Sequence, residues 1–121
     1  MAGTFDNWDR TIPGSIPLHD LQRFARATLF EQVRGPGAPQ RHLLVDDRVV
    51  IGRSDGDIRI ASAELSRTHM RVERSGTEFV CTDLDSSNGI YLNGVKIHSA
   101  VLREGDQLQL GDVILVFHAG G

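Results

Sequence analysis

Three short segments carry side chains suited to holding a tetrahedral oxyanion. They are Gly52-Arg53-Ser54, Ser66-Arg67-Thr68-His69 and Ser86-Ser87-Asn88-Gly89, the last followed shortly by Asn93-Gly94. Together they offer two arginines, several hydroxyls and a side-chain amide. The guanidinium of arginine presents a planar fork of donors that matches phosphate oxygens. Serine and asparagine add short neutral donors, and glycine lets a backbone N–H approach a ligand closely. None of the segments places a nucleophile beside a base. The chemistry they point to is therefore binding rather than bond-breaking, and His69 reads as a structural histidine.

The remaining reactive residue types add little. Cys81 is the only cysteine, which rules out an internal disulfide or a zinc site of several thiolates. It reads as a buried, inert thiol in a chain kept in a reducing, cytoplasmic compartment. His19, His42, His98 and His118 are scattered without metal-ligand spacing. Asp46-Asp47 reads as a turn, and Asp83-Leu84-Asp85 leads into the Asn88-Gly89 loop, where a carboxylate can cap it. No metal and no cofactor is expected.

The elements that position these residues are short. The chain has 121 residues and a formal net charge of −3, which suits one small domain and argues against a general nucleic-acid binder. No apolar run approaches the roughly 18 residues that would suggest membrane insertion, and the N-terminus MAGTFDNWDRT lacks the apolar core of a signal peptide. Residues 1–25 read as a flexible N-terminal extension ahead of a domain over 26–121. Pro17 is placed to open a short helix with Leu18, Leu21 and Phe24 on one face. Phe5 and Trp8 are aromatic residues of that tail with the means to dock on the domain or a partner.

From Ala27 onward, β-branched and aromatic runs alternate with Gly, Asp, Asn and Ser clusters. The expected strands are 28–34, 42–46, 48–52, 58–60, 70–74, 78–84, 90–92, 96–97, 107–110 and 113–118. Asn93-Gly94 is a hairpin cue, because both residues tolerate positive φ. Many short strands at close spacing indicate an all-β sandwich or barrel. Val113–Phe117 is nearly all apolar, as befits a central strand covered on both faces.

In this order and spacing, Gly52-Arg53, Ser66-Arg67-Thr68-His69, Ser86-Ser87-Asn88-Gly89 and Asn93-Gly94 resemble the signature of the forkhead-associated (FHA) domain. Asp57-Ile58, and Leu102 with Gly105-Asp106, Leu108 and Gly111, fit the same frame. The resemblance covers roughly residues 27–118. One departure is visible: the loop from Arg53 to Asp57 is a residue shorter than the commonest family form, which leaves its shape open.

The resemblance implies an eleven-stranded β-sandwich of the SMAD/FHA type, with no catalysis and a peptide site on loops at one end. It implies a phosphothreonine-binding adaptor in kinase signalling, whose partner is a Ser/Thr kinase or its substrate. Arg53 would pair with the phosphate, Ser66 would donate its hydroxyl to it, and Arg67 would contact phosphate or peptide backbone. Ser87 would stand beside the threonine methyl, and Asn88 would hydrogen-bond the peptide backbone. Gly52, His69, Gly89, Asn93 and Gly94 would shape the loops. The alternative is a phosphate-independent interaction module that binds through sheet faces. Thr4 and Thr11 are candidate phosphosites through which the tail could occupy its own site.

Overall fold

The computed structural model describes residues 27–120. They form eleven strands: β1 (Leu29–Arg34), β2 (Gln40–Leu43), β3 (Arg48–Gly52), β4 (Ile58–Arg59), β5 (Met70–Ser75), β6 (Glu78–Asp83), β7 (Ile90–Leu92), β8 (Val95–Ile97), β9 (Ser99–Leu102), β10 (Gln107–Leu110) and β11 (Val113–His118). Two sheets result, in the orders β2-β1-β11-β10-β7-β8 and β4-β3-β5-β6-β9. The expected N-terminal extension, the helix after Pro17, Phe5, Trp8 and both candidate phosphosites, Thr4 and Thr11, lie outside the described residues.

Alternation explains the layering. Residues i and i+2 of a strand face the same side, so Val113, Leu115 and Phe117 of β11 are buried while Ile114, Val116 and His118 are half-buried. β11 sits between β1 and β10, the central place its apolar composition implies, with its outer face only partly covered. Facing it, β3, β5 and β6 supply Val49, Ile51, Met70, Val72 and Cys81 to the same core. Phe117 ties the layers together. Its ring centroid lies 5.6 Å from Phe30 of β1 and 5.7 Å from Phe79 of β6. Burying each such side chain contributes about 1.5–3 kcal/mol.

Strands β3, β7, β10 and β11 coincide with their sequence-based bounds. Two differences have physical causes. The segment expected at 42–46 pairs instead over Gln40–Leu43, because β1 offers partners only from Gln32↔Gln40 to Leu29↔Leu43, and Val45 beyond it is 77% exposed. β9 was not among the expected segments. Its residues Ser99 and Ala100 carry little β preference, yet β6 holds it from Phe79↔Leu102 to Thr82↔Ser99.

Candidate phosphate-binding site

The β3–β4, β4–β5 and β6–β7 loops meet at one end of the sandwich. Their closest approach depends on Gly52, the last residue of β3. A Cβ at this position would lie 1.8 Å from the Arg67 carbonyl oxygen and 2.6 Å from that of Asp55. Only glycine admits this contact. The backbone bonds that follow seal the two loops together. The Arg53 N–H donates to the Ser66 carbonyl at 2.9 Å, and the Asp55 N–H donates to the Arg67 carbonyl at 3.1 Å. Arg53 and Ser66, thirteen positions apart in sequence, are thereby set side by side. The short 53–57 loop closes on β3, with the Asp57 N–H on the Val50 carbonyl and the Val50 N–H on Asp57 Oδ2.

His69 joins the second loop to the third. It is fully buried. Its Nδ1 accepts the Ser66 N–H at 3.1 Å, so Nε2 carries the proton and donates to the Gly89 carbonyl at 2.8 Å. One imidazole thus satisfies a backbone donor and a backbone acceptor from two loops, which leaving unpaired would cost about 1–3 kcal/mol each. Ser66 Oγ accepts the Ser87 N–H at 3.0 Å. Its own proton remains for a donor bond outward. Ser86 closes the third loop from within: its hydroxyl donates to Asp83 Oδ1, and its oxygen accepts the Gly89 N–H at 2.9 Å.

The outward groups have spare capacity. Arg53 is exposed and spends a single guanidinium N–H, on the Leu65 carbonyl at 3.3 Å. Arg67 is exposed, and its guanidinium has no partner among the described residues. Asn88 directs one amide N–H to the Glu64 carbonyl at 2.7 Å, which fixes the side chain and leaves its oxygen and second N–H available. Ser87 is exposed at the rim. Two cations, a hydroxyl and an oriented amide are therefore carried by one loop junction, a donor set suited to a dianionic phosphate on an extended peptide.

Two residues expected near this site are elsewhere. Asn93 and Gly94, with φ of 48° and 88°, form the β7–β8 hairpin turn at the far end of β7, about 13 Å from Gly89 at about 3.3 Å per residue. There Asn93 Nδ2 donates to Asp106 Oδ1 at 3.0 Å, and Asn93 Oδ1 accepts the Gln107 N–H at 2.9 Å. Their shaping role is exercised on the β9–β10 turn, not on the phosphate loops.

Conversely, the β10–β11 turn supports the site without having been singled out for it. The buried Ser62 hydroxyl donates to Asp112 Oδ1, and Ser62 Oγ accepts the Glu64 N–H. A Cβ on Gly111 would lie 2.6 Å from Glu64 Cβ. The turn thus props the stretch of backbone that presents Glu64 to Asn88 and Ser66 to Arg53. In the sequence Gly111 stood only as part of the frame that fits the FHA signature. Nothing local links Asp112 to Ser62, fifty positions earlier.

Cys81 lies in the core, where burial pushes its thiol up to about 11. No cluster of three or more His, Cys, Asp or Glu residues able to hold a metal occurs among the described residues. None of their helices is long and apolar enough to cross a membrane.

The FHA domain profile matches residues 49–111. The glycogen accumulation regulator GarA of Mycolicibacterium smegmatis is 41% identical over 88 residues, which make up 72% of this chain and 56% of that protein. An oxoglutarate dehydrogenase inhibitor of Corynebacterium glutamicum is 34% identical over 111 residues, 91% of this chain and 76% of that one. The chain thus spans little more than half the length of the GarA relative. Among solved structures, Mycobacterium tuberculosis EmbR in complex with a low-affinity phosphopeptide aligns with a TM-score of 0.72 at 27% identity, covering 99% of this chain and 30% of EmbR. With the profile match running from β3 to the β10–β11 turn, this chain belongs to the FHA domain family.

Proposed function

We propose that this domain binds phosphothreonine peptides as an adaptor and performs no chemistry on them. The observation that carries the reading is the pairing of Arg53 with Ser66 through their backbone, both side chains keeping unspent donors. Arg53 and Arg67 take the phosphate charge, Ser66 donates its hydroxyl, and Asn88 receives the peptide backbone with its free amide groups. Ser87 at the rim packs against the threonine methyl. That contact discriminates against phosphoserine by about 1–3 kcal/mol, the range for one methylene-sized difference.

The absence of catalysis is supported by the character of the reactive groups. A Cys81 thiol held near 11 supplies almost no thiolate at neutral pH, and both nitrogens of His69 are committed to backbone. The GarA and oxoglutarate dehydrogenase inhibitor relatives are named for controlling metabolism. They favour, as partner, a cytoplasmic enzyme or its regulator that carries a phosphothreonine placed by a Ser/Thr kinase. The N-terminal Thr4 and Thr11 are proposed as sites whose phosphorylation gives the domain an internal ligand, at an effective concentration up to about millimolar for a short linker.

An oriented phosphothreonine library, screened against the wild type and Arg53→Ala with phosphoserine and unphosphorylated controls, tests the reading. Selection is expected only for phosphothreonine and only by the wild type. Equal recovery of phosphorylated and unphosphorylated peptides would replace it with the phosphate-independent module.

A further inference from the structure

β8 is the edge strand beside β7, and its central residue Lys96 is paired with Tyr91. Such partners share a face of the sheet, and Gly89 lies two residues before Tyr91 on that face. The lysine crosses this diagonal. Its Cε lies 3.0 Å and its Nζ 3.7 Å from where a Cβ of Gly89 would stand. The aliphatic stem therefore rests on the glycine, and the ammonium stands beside the Asn88-Gly89 turn, at the margin of the site.

That ammonium is uncommitted. Lys96 is exposed, and it has no hydrogen bond or ion pair among the described residues. The carboxylates of the neighbouring loop do not neutralise it: Asp83 receives the Ser86 hydroxyl, and Asp85 forms no ion pair with it. The His69 imidazole alone spans the gap from Ser66 to Gly89. Lys96 thus stands within two or three extended peptide residues of the phosphate contact, at about 3.3 Å per residue.

We propose that Lys96 is a specificity-determining residue of the site, which selects a carboxylate side chain on the peptide flank that leaves the phosphothreonine across Asn88 and Gly89. This rests on the phosphothreonine reading above. Lys96 adds a point charge on a flexible stem, so it ranks peptides by charge and does not demand one geometry.

The test is a set of phosphothreonine peptides in which Glu, Gln or Lys is walked through three positions on each side of the phosphoresidue. Binding is measured for the wild type, Lys96→Gln and Lys96→Glu, with the unphosphorylated peptides alongside. At one position the wild type is expected to bind the Glu peptide about two- to five-fold more tightly than the Gln peptide, the range for an exposed ion pair. Lys96→Gln keeps affinity for the Gln peptide and loses the preference, and Lys96→Glu reverses it in favour of Lys. Phosphate-dependent binding with the wild-type ranking preserved in Lys96→Glu would overturn the inference alone. A wild type that binds phosphorylated and unphosphorylated peptides alike would overturn the reading of the site and this inference with it.

Discussion

The two ends of the sandwich treat their cationic side chains in opposite ways. At the end where β3, β4 and β6 open into loops, structure is held by backbone bonds, by Gly52, His69, Ser62 and Ser86, and by the carboxylates of Asp57, Asp83 and Asp112. The exposed cations Arg53 and Arg67 take little part in that bracing. At the other end a titratable cation, His118, is itself part of the bracing. His118 Nδ1 meets Glu104 Oε2 at 2.7 Å and His118 Nε2 meets Glu31 Oε1 at 3.2 Å, while Glu104 Oε1 accepts the Ala119 N–H. Asp106 accepts from Asn93 and from the Arg103 N–H. Polar groups spent on one another stabilise a fold; polar groups aligned by others and left unspent form a binding site.

Substitutions can break this contrast. The largest effect is expected for Gly52→Ala, because the Cβ must displace the Arg67 carbonyl backbone. Stability should fall by about 3 kcal/mol or more, as for other severe core overpacking, and phosphopeptide binding should vanish in any folded fraction. Chemical denaturation together with a peptide titration checks both. Next is Arg53→Ala, which should weaken phosphothreonine peptide binding by about 2–5 kcal/mol, the cost of truncating a paired charge. Its melting temperature should stay near that of the wild type, since Arg53 makes one long side-chain bond. A calorimetric titration that finds unchanged affinity would remove Arg53 from the site. Asn93→Ala is the mirror image. It loses two turn bonds at about 0.5–1.5 kcal/mol each and should leave peptide affinity alone.

The smallest effect concerns pH. Hydrogen bonds from Glu104 and then Glu31 raise the His118 pKa above its ordinary 6.5 in the folded chain. The resulting stability is fully present below that value and is lost as pH rises through the raised one. Glu104 is held below its ordinary 4.5, first by the Ala119 N–H and then by His118, so its share is present above 4.5 and lost as pH falls through the lowered value. The clamp therefore contributes most between these limits. Thermal melts of the wild type and His118→Gln should differ most between the ordinary Glu104 and His118 values and draw together as pH rises through the raised His118 value; a gap that widens with pH would contradict the assignment.

How much of this was legible in the sequence follows from range. Arg53, Ser66 and Asn88 could be read because each belongs to a short motif at a strand end, and the strands themselves announce their alternation. Asn93 was grouped with Asn88 because five positions separate them. A three-residue β7 lies between, and that is enough to put them at opposite ends of the sheet. The Ser62–Asp112 prop was invisible because the two residues meet only after β10 and β11 have paired. The edge strand β9 was missed because pairing with β6, not its own Ser-Ala composition, makes it a strand.

The central claim is that one end of this sandwich reads phosphothreonine and the other does not. Backbone amide shifts followed by NMR during titration with a phosphothreonine peptide test it most directly. The account predicts that the amides of Arg53, Ser66, Arg67, Ser87 and Asn88 move and saturate together, that those of Asn93, Gly105 and Asp106 stay in place, and that the unphosphorylated peptide moves neither group. Saturating shifts centred on the Asn93–Asp106 end, or equal shifts from both peptides, would contradict it.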